Sequence, residues 1–134
     1  MLKQGMVFHY PFLWRHQHAK GIEHAKDRTC CLAFKLKNKK FGDSYIILSI
    51  SDQRGDSEHV MEVPAKEKRK AGLDTFRKAY LHLSELNVEP SRGSFNLSPQ
   101  PKILGQFGEA FMDDVSEKLA ICIRAKAAVF LTRR

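Results

Sequence analysis

Thr29-Cys30-Cys31-Leu32-Ala33-Phe34-Lys35-Leu36, followed by Lys37-Asn38-Lys39-Lys40-Phe41-Gly42-Asp43 and then Tyr45-Ile46-Ile47-Leu48-Ser49-Ile50, is the stretch on which the fold turns. The first part is apolar almost without a break from Cys30 to Phe34, the pattern of a central strand buried on both faces. The lysine-rich middle with Gly42-Asp43 reads as a charged turn. The β-branched run from Tyr45 to Ile50 predicts the next strand. Alternation along the first strand sends Cys30 and Cys31 to opposite faces, so adjacent thiols do not serve one site. With Cys122 these make three cysteines and no C-x-x-C spacing. That composition argues against a zinc knuckle and for small buried apolar groups in a reducing cytoplasm.

Toward the N-terminus, Gly5 to Tyr10 predicts a strand that Pro11 ends. Phe12 to Asp27 reads as a long loop carrying Phe12, Trp14, His16, His18 and His24, and long loops in small domains commonly carry function. Toward the C-terminus, Asp52 to Glu58 is a polar loop with a turn at Arg54-Gly55-Asp56, and Val60 to Val63 is a short strand closed by Pro64. Lys66 to Ala71 predicts a solvated helical turn stopped by Gly72. Lys78 to Leu83 alternates, with Ala79, Leu81 and Leu83 on one face and Lys78, Tyr80 and His82 on the other, as in a half-buried strand. Glu89 to Gln100, with its prolines and serines, reads as a loop, and Ile103-Leu104 as a short strand. Phe111, Val115, Leu119 and Cys122 recur at helical spacing from about Gly108 onward, with Met112 and Ile123 beside them. Ala127 to Leu131 suits either a last strand or a frayed helix end.

The chain of 134 residues fits one domain, residues 1–134. Short strands closed by one long helix predict an α+β, mainly β fold: a small SH3-like curled antiparallel sheet or barrel with the helix packed on it. The formal charge of +8, from 23 basic and 15 acidic residues spread along the chain, points to a polyanionic partner. Met1 to Gly5 lacks the apolar stretch of a leader, and no run is long enough to span a membrane, so a cytoplasmic protein is expected.

Several segments, taken in order, resemble the MazF/PemK family of toxin ribonucleases from type II toxin–antitoxin systems. They are Gly5-Met6-Val7-Phe8, the loop with Gly21-Ile22-Glu23 leading to Asp27-Arg28, and Tyr45-Ile46-Ile47-Leu48-Ser49-Ile50-Ser51. After these come Ala71-Gly72-Leu73, Leu83-Ser84-Glu85-Leu86-Asn87, and Ile103-Leu104-Gly105 before the closing helix. The likeness covers most of the chain, with departures. Thr29 stands where the family has a proline after the arginine, Ser51 where it has a threonine, and His82 and Ser84 where it has an arginine and an aspartate.

The resemblance implies an endoribonuclease and growth inhibitor that cuts single-stranded RNA without metal or cofactor. The ribose 2′-hydroxyl attacks its own phosphorus, which calls for a base, a cation on the non-bridging oxygens and an acid at the leaving oxygen. Arg28 is the candidate cation, since guanidinium stays charged and grips phosphate with two donors; its plainer use is a surface ion pair. Ser51 can donate to the same phosphate or simply cap a strand-end turn. His82 has the ordinary pKa for acid–base work, or packs across strands. Trp14 can stack on a base or plug the barrel mouth. Glu23 matches the family's G-x-E. Together with His18, His24, Lys26, Lys78 and Ser84, it and Trp14 make up the candidate RNA-binding set. The loop histidines lack the carboxylate pairing of a convincing metal site. The cluster Lys66, Lys68, Arg69, Lys70, Arg77 and Lys78 suits an RNA backbone, or a solvated face. A homodimer and an acidic antitoxin follow from the resemblance alone. Two rivals remain: a catalytically degenerate nucleic-acid- or protein-binding module on the same fold, and a toxin that poisons a protein such as gyrase. The second uses a terminal aromatic pair, whereas this chain ends Leu131-Thr132-Arg133-Arg134.

Overall fold

The structure, a computed structural model, describes residues 2–21, 26–55, 58–94, 96–98 and 100–132. The elements run β1 (Met6–Tyr10), α1 (Arg15–Ala19), β2 (Arg28–Leu36), β3 (Ser44–Ser51), β4 (Val60–Glu62) and α2 (Ala65–Lys70). They continue with β5 (Tyr80–His82), β6 (Glu85–Pro90), β7 (Ile103–Gln106), α3 (Glu109–Arg124) and β8 (Val129–Thr132). As the apolar run required, β2 and β3 form the centre of the sheet, antiparallel from Cys30–Ser49 to Leu36–Ser44 with a bulge between Leu32 and Phe34. β1 lies on the other edge of β2, and β7 on the other edge of β1. The far edge of β3 is shared by β6, along Ser44 to Ile47, and β5, along Ile50 and Ser51. β4 pairs with β5, and β8 pairs in parallel with β6. The expected α+β class is present. The described pairs do not close a barrel, however, and the sheet is open.

Alternation gives the sheet two faces. One carries Val7, Cys31, Ile46, Leu48, Ile50 and Leu81. It is covered by α3, whose buried Phe111, Met112, Val115, Leu119 and Cys122 form the stripe foreseen from spacing. Each such side chain contributes roughly 1.5–3 kcal/mol on burial. The other face carries Phe8, Tyr10, Cys30, Leu32, Tyr45 and Ile47, covered by Leu2, Phe12 and Leu97 with Trp14 packed at the margin. Cys30 and Cys31 thus go to separate cores, as alternation demanded, and burial pushes the Cys31 thiol far above its ordinary pKa. Two glycines bring α2 against β7. Gly72, at φ 71°, stops the helix, and a methyl on it would overlap the Leu104 carbonyl, just as one on Gly105 would overlap the backbone of Lys70 and Ala71.

Three expectations change. The segment from Phe12 to Asp27 is not all loop, because α1 forms within it. The side-chain oxygen of Gln17, its third residue, accepts a 3.1 Å hydrogen bond from the Trp14 N–H, half of a capping box. The expected loop from Glu89 begins inside β6, where Glu89 is buried. Proline is tolerated there because Pro90 sits at the end of the ladder, opposite Ser44. Finally, α2 is not wholly solvated: buried Glu67 accepts a 2.7 Å hydrogen bond from the N–H of Gly108, the N-cap of α3. Of the open alternatives, the last segment is a strand, β8, and no described helix is long and apolar enough to cross a membrane.

Candidate active site

β5 and β6 are one strand broken by a wide bulge. Between the pairs Ile47–Asn87 and Ile50–Leu81, two residues of β3 face five of the other strand, 82–86. Bulges bend a strand and re-aim its side chains, often beside active sites. Here the bulge holds His82, Ser84 and Glu85. His82 lies on the same face as Tyr80, which pairs with Ser51, and its Nε2 is 2.7 Å from the Ser51 Oγ. Two residues singled out from separate segments of the sequence are therefore hydrogen-bonded.

The Ser51 Oγ lies 2.8 Å from the Gln53 carbonyl; with the hydroxyl donating there, Oγ accepts on its other side and His82 Nε2 carries the proton, whereas in the other tautomer the hydroxyl donates to Nε2. The Gln53 N–H also approaches Ser51 Oγ at 3.3 Å. In the first arrangement Nδ1 is left with the lone pair. Ser51 is then an anchor for the ring rather than a nucleophile, since its own proton is held by a carbonyl. Burial holds the His82 pKa below its ordinary 6.5; a hydrogen bond to the Gln53 backbone and the charge of Glu85 act in the opposite direction. The ring is neutral at pH 7 and able to accept a proton.

The segment above the ring is fixed by the same bulged strand. Buried Asn87 imitates a strand partner: its Oδ1 accepts from the Leu13 N–H and its Nδ2 donates to the Leu13 carbonyl, both at 2.8 Å. Glu85 Oε1 accepts from the N–H of Arg15, the first residue of α1. Trp14, between these two clamps, packs on Phe12 at 4.9 Å and meets the His82 ring edge-on at 5.8 Å. Phe12 is fully buried in the core on this face of the sheet, and Trp14 is half-buried against the histidine. At the other margin of this face, Glu89 accepts from Tyr10 and Ser94, tying β1 to the segment that supplies Leu97.

Arg28 opens β2, exposed and opposite Tyr10. Cys30 pairs with Ser49, so Arg28 and Ser51, each two residues further toward the same end of the sheet, stand at neighbouring strand ends. Alternation from Cys30 puts Arg28 on the face that carries Ser51. Among the described residues it has no ion pair. Lys26 is exposed just before it. Ser84 is half-buried, and its carbonyl accepts from Val129 to start β8. Lys78 is exposed and lines an open hollow beside Ser51 with Asp52, Gln53 and Tyr80. Glu23 and His24 lie outside the described residues, as does the side chain of His18. Among the described residues no three His, Cys, Asp or Glu side chains are placed to hold a metal ion.

The basic cluster divides. Lys68 is tied internally, its ammonium donating to the carbonyls of Phe76 and Arg77 at 2.9 and 2.8 Å, and Lys70 meets Glu67 at 3.4 Å. Lys66, Arg69, Arg77 and Lys78 remain exposed. Gln53, Glu85 and Asn87 carry parts of the site that were given no role from sequence. For the last two the signal was present: Glu85-Leu86-Asn87-Val88-Glu89 alternates strictly, as a strand does. No model of a protein family matches this chain, and no curated protein matches it.

Proposed function

We propose that the chain is a metal-independent endoribonuclease for single-stranded RNA, a divergent relative of the MazF/PemK toxins. The observation that carries this reading is the 2.7 Å contact between His82 and Ser51, which orients an imidazole of lowered pKa at the strand end shared with Arg28. In the reaction, His82 Nδ1 takes the proton of the ribose 2′-hydroxyl, the O2′–P bond forms, and the P–O5′ bond breaks. The 5′-oxygen leaves with a proton from water, and the imidazolium later returns its own to solvent. Arg28 meets the charge that builds on the non-bridging oxygens. Ser51 and Trp14 hold the base in position. The family's barrel, its homodimer and its acidic antitoxin come with this reading; in this chain the described strands leave the sheet open.

The test is incubation of the purified protein with mixed-sequence RNA in EDTA. Products ending in 2′,3′-cyclic phosphate are expected, with the rate falling roughly 10²- to 10⁴-fold in His82→Ala. Loss is expected in Arg28→Ala as well. Full activity in His82→Ala removes the imidazole from the mechanism. A second reading, a binding module without catalysis, is favoured by the 2.8 Å contact of the Ser51 hydroxyl with the Gln53 carbonyl and by the packing of Trp14 against His82. RNA binding without cleavage would decide for it.

A further inference from the structure

Beside the Ser51–His82 pair lies an open hollow of about 630 Å³, lined by Asp52, Gln53, Phe76, Arg77, Lys78 and Tyr80. Neither Ser51 nor His82 lines it, but two of its lining residues adjoin the pair. Gln53 contacts Ser51 through its carbonyl and its N–H, and Tyr80 pairs with Ser51 and stands two residues from His82 on the same face. Tyr80 and Phe76 are half-buried and offer ring surface, whereas Arg77, Lys78 and Asp52 are exposed at the rim. The wall is held in shape, because the Lys68 ammonium bonds the carbonyls of both Phe76 and Arg77. Aromatic surface, paired cations and a lone carboxylate are the three parts a nucleotide asks for: a platform for the base, charge for the phosphate and an acceptor for the base edge.

We propose that this hollow is a subsite for one nucleotide of a single-stranded RNA, with the base on Tyr80, its phosphate on Lys78 and Arg77, and its edge against Asp52. A carboxylate is acceptor-only, so it favours an edge carrying an exocyclic amino group. Uracil, whose single edge N–H is flanked by carbonyls, is the base it disfavours. That this nucleotide neighbours the bond broken rests on the cleavage reading; that the hollow binds a nucleotide does not.

The experiment uses labelled 2′-O-methyl tetranucleotides, uridine at all positions but one, with the remaining base varied. Lacking a free 2′-hydroxyl, they bind without being cut. By fluorescence anisotropy, cytosine, adenine or guanine is expected to bind about tenfold tighter than uracil. Asp52→Ala should erase the preference. Lys78→Ala should weaken all probes equally and lower the salt slope by about one. Equal binding of all four bases, a preference that survives Asp52→Ala, or no saturable binding overturns the subsite. Failure of ordinary RNA to be cut would overturn only the catalytic reading, so the two outcomes are separable.

Discussion

On one face of the sheet a helix of sixteen residues lays a regular apolar stripe; on the other, an arm with one short helix is pinned by polar side chains. The first cover is held by shape and burial, with many contacts of similar worth. The second depends on a few hydrogen bonds, those of Asn87 to Leu13, Glu85 to Arg15, and Glu89 to Tyr10 and Ser94. The difference teaches where function can be built. A face sealed by a helix has no room for a ligand, whereas a clamped arm leaves Trp14, His82 and Ser51 half-buried in defined geometry. Polar clamps are directional, and direction is what a reacting group needs.

Breaking the helix-covered face should have the largest effect on stability. Leu119→Ala, at a position 2 % exposed, should cost about 2–5 kcal/mol in urea unfolding while leaving cleavage per folded molecule unchanged. A change in kcat at saturating folding would mean the two faces are not independent. On the other face, Asn87→Ala strands a buried N–H and a carbonyl of Leu13 and should cost about 1–3 kcal/mol. Unlike Leu119→Ala, it should also lower kcat in the folded fraction, because Trp14 loses one of its two fixings; retained kcat would show that the clamp does not position the site.

Smaller again is Glu67→Gln, which keeps the hydrogen bond to Gly108 but removes the negative charge at the N-terminus of α3. A loss of about 0.3–1 kcal/mol, shrinking in high salt, is expected from thermal melts. The pH dependence is the finest probe. The folded His82 pKa is lowered, so between it and the unfolded value near 6.5 the unfolded chain binds more protons. Stability should therefore decline as pH falls below about 6.5 and level off below the folded pKa, a slope that His82→Gln should remove. Glu85→Gln removes a charge that raises the His82 pKa, so the acid limb of kcat/KM should move to lower pH. A limb that stays in place would detach Glu85 from the ring.

The regular cover was legible because period writes itself into sequence: the spacing Phe111, Val115, Leu119, Cys122 names a helix and its buried side together. The central strands were legible for the same reason, and so was the separation of Cys30 from Cys31. The second cover was not. Arg15 to Ala19 has no apolar stripe, and it is helical because Gln17 and Glu85 bond its first N–H groups. β6 was obscured by Pro90, its last residue. Arg28, Ser51 and His82 were found as residue types, but not the Gln53 carbonyl that lies 2.8 Å from the Ser51 hydroxyl.

The sequence by itself determined the α+β class, the central pair of strands, the apolar stripe of the last helix and the residue types able to move a proton or meet a phosphate. Those follow from periodicity and side-chain chemistry, which are local. Only the tertiary structure decided that the sheet stays open, that the register of β3 with β5 sets His82 against Ser51, and that Asn87 and Glu85 hold Trp14 against the ring. These depend on register and on hydrogen bonds between residues 31 to 74 positions apart, and no local pattern encodes a partner at that distance.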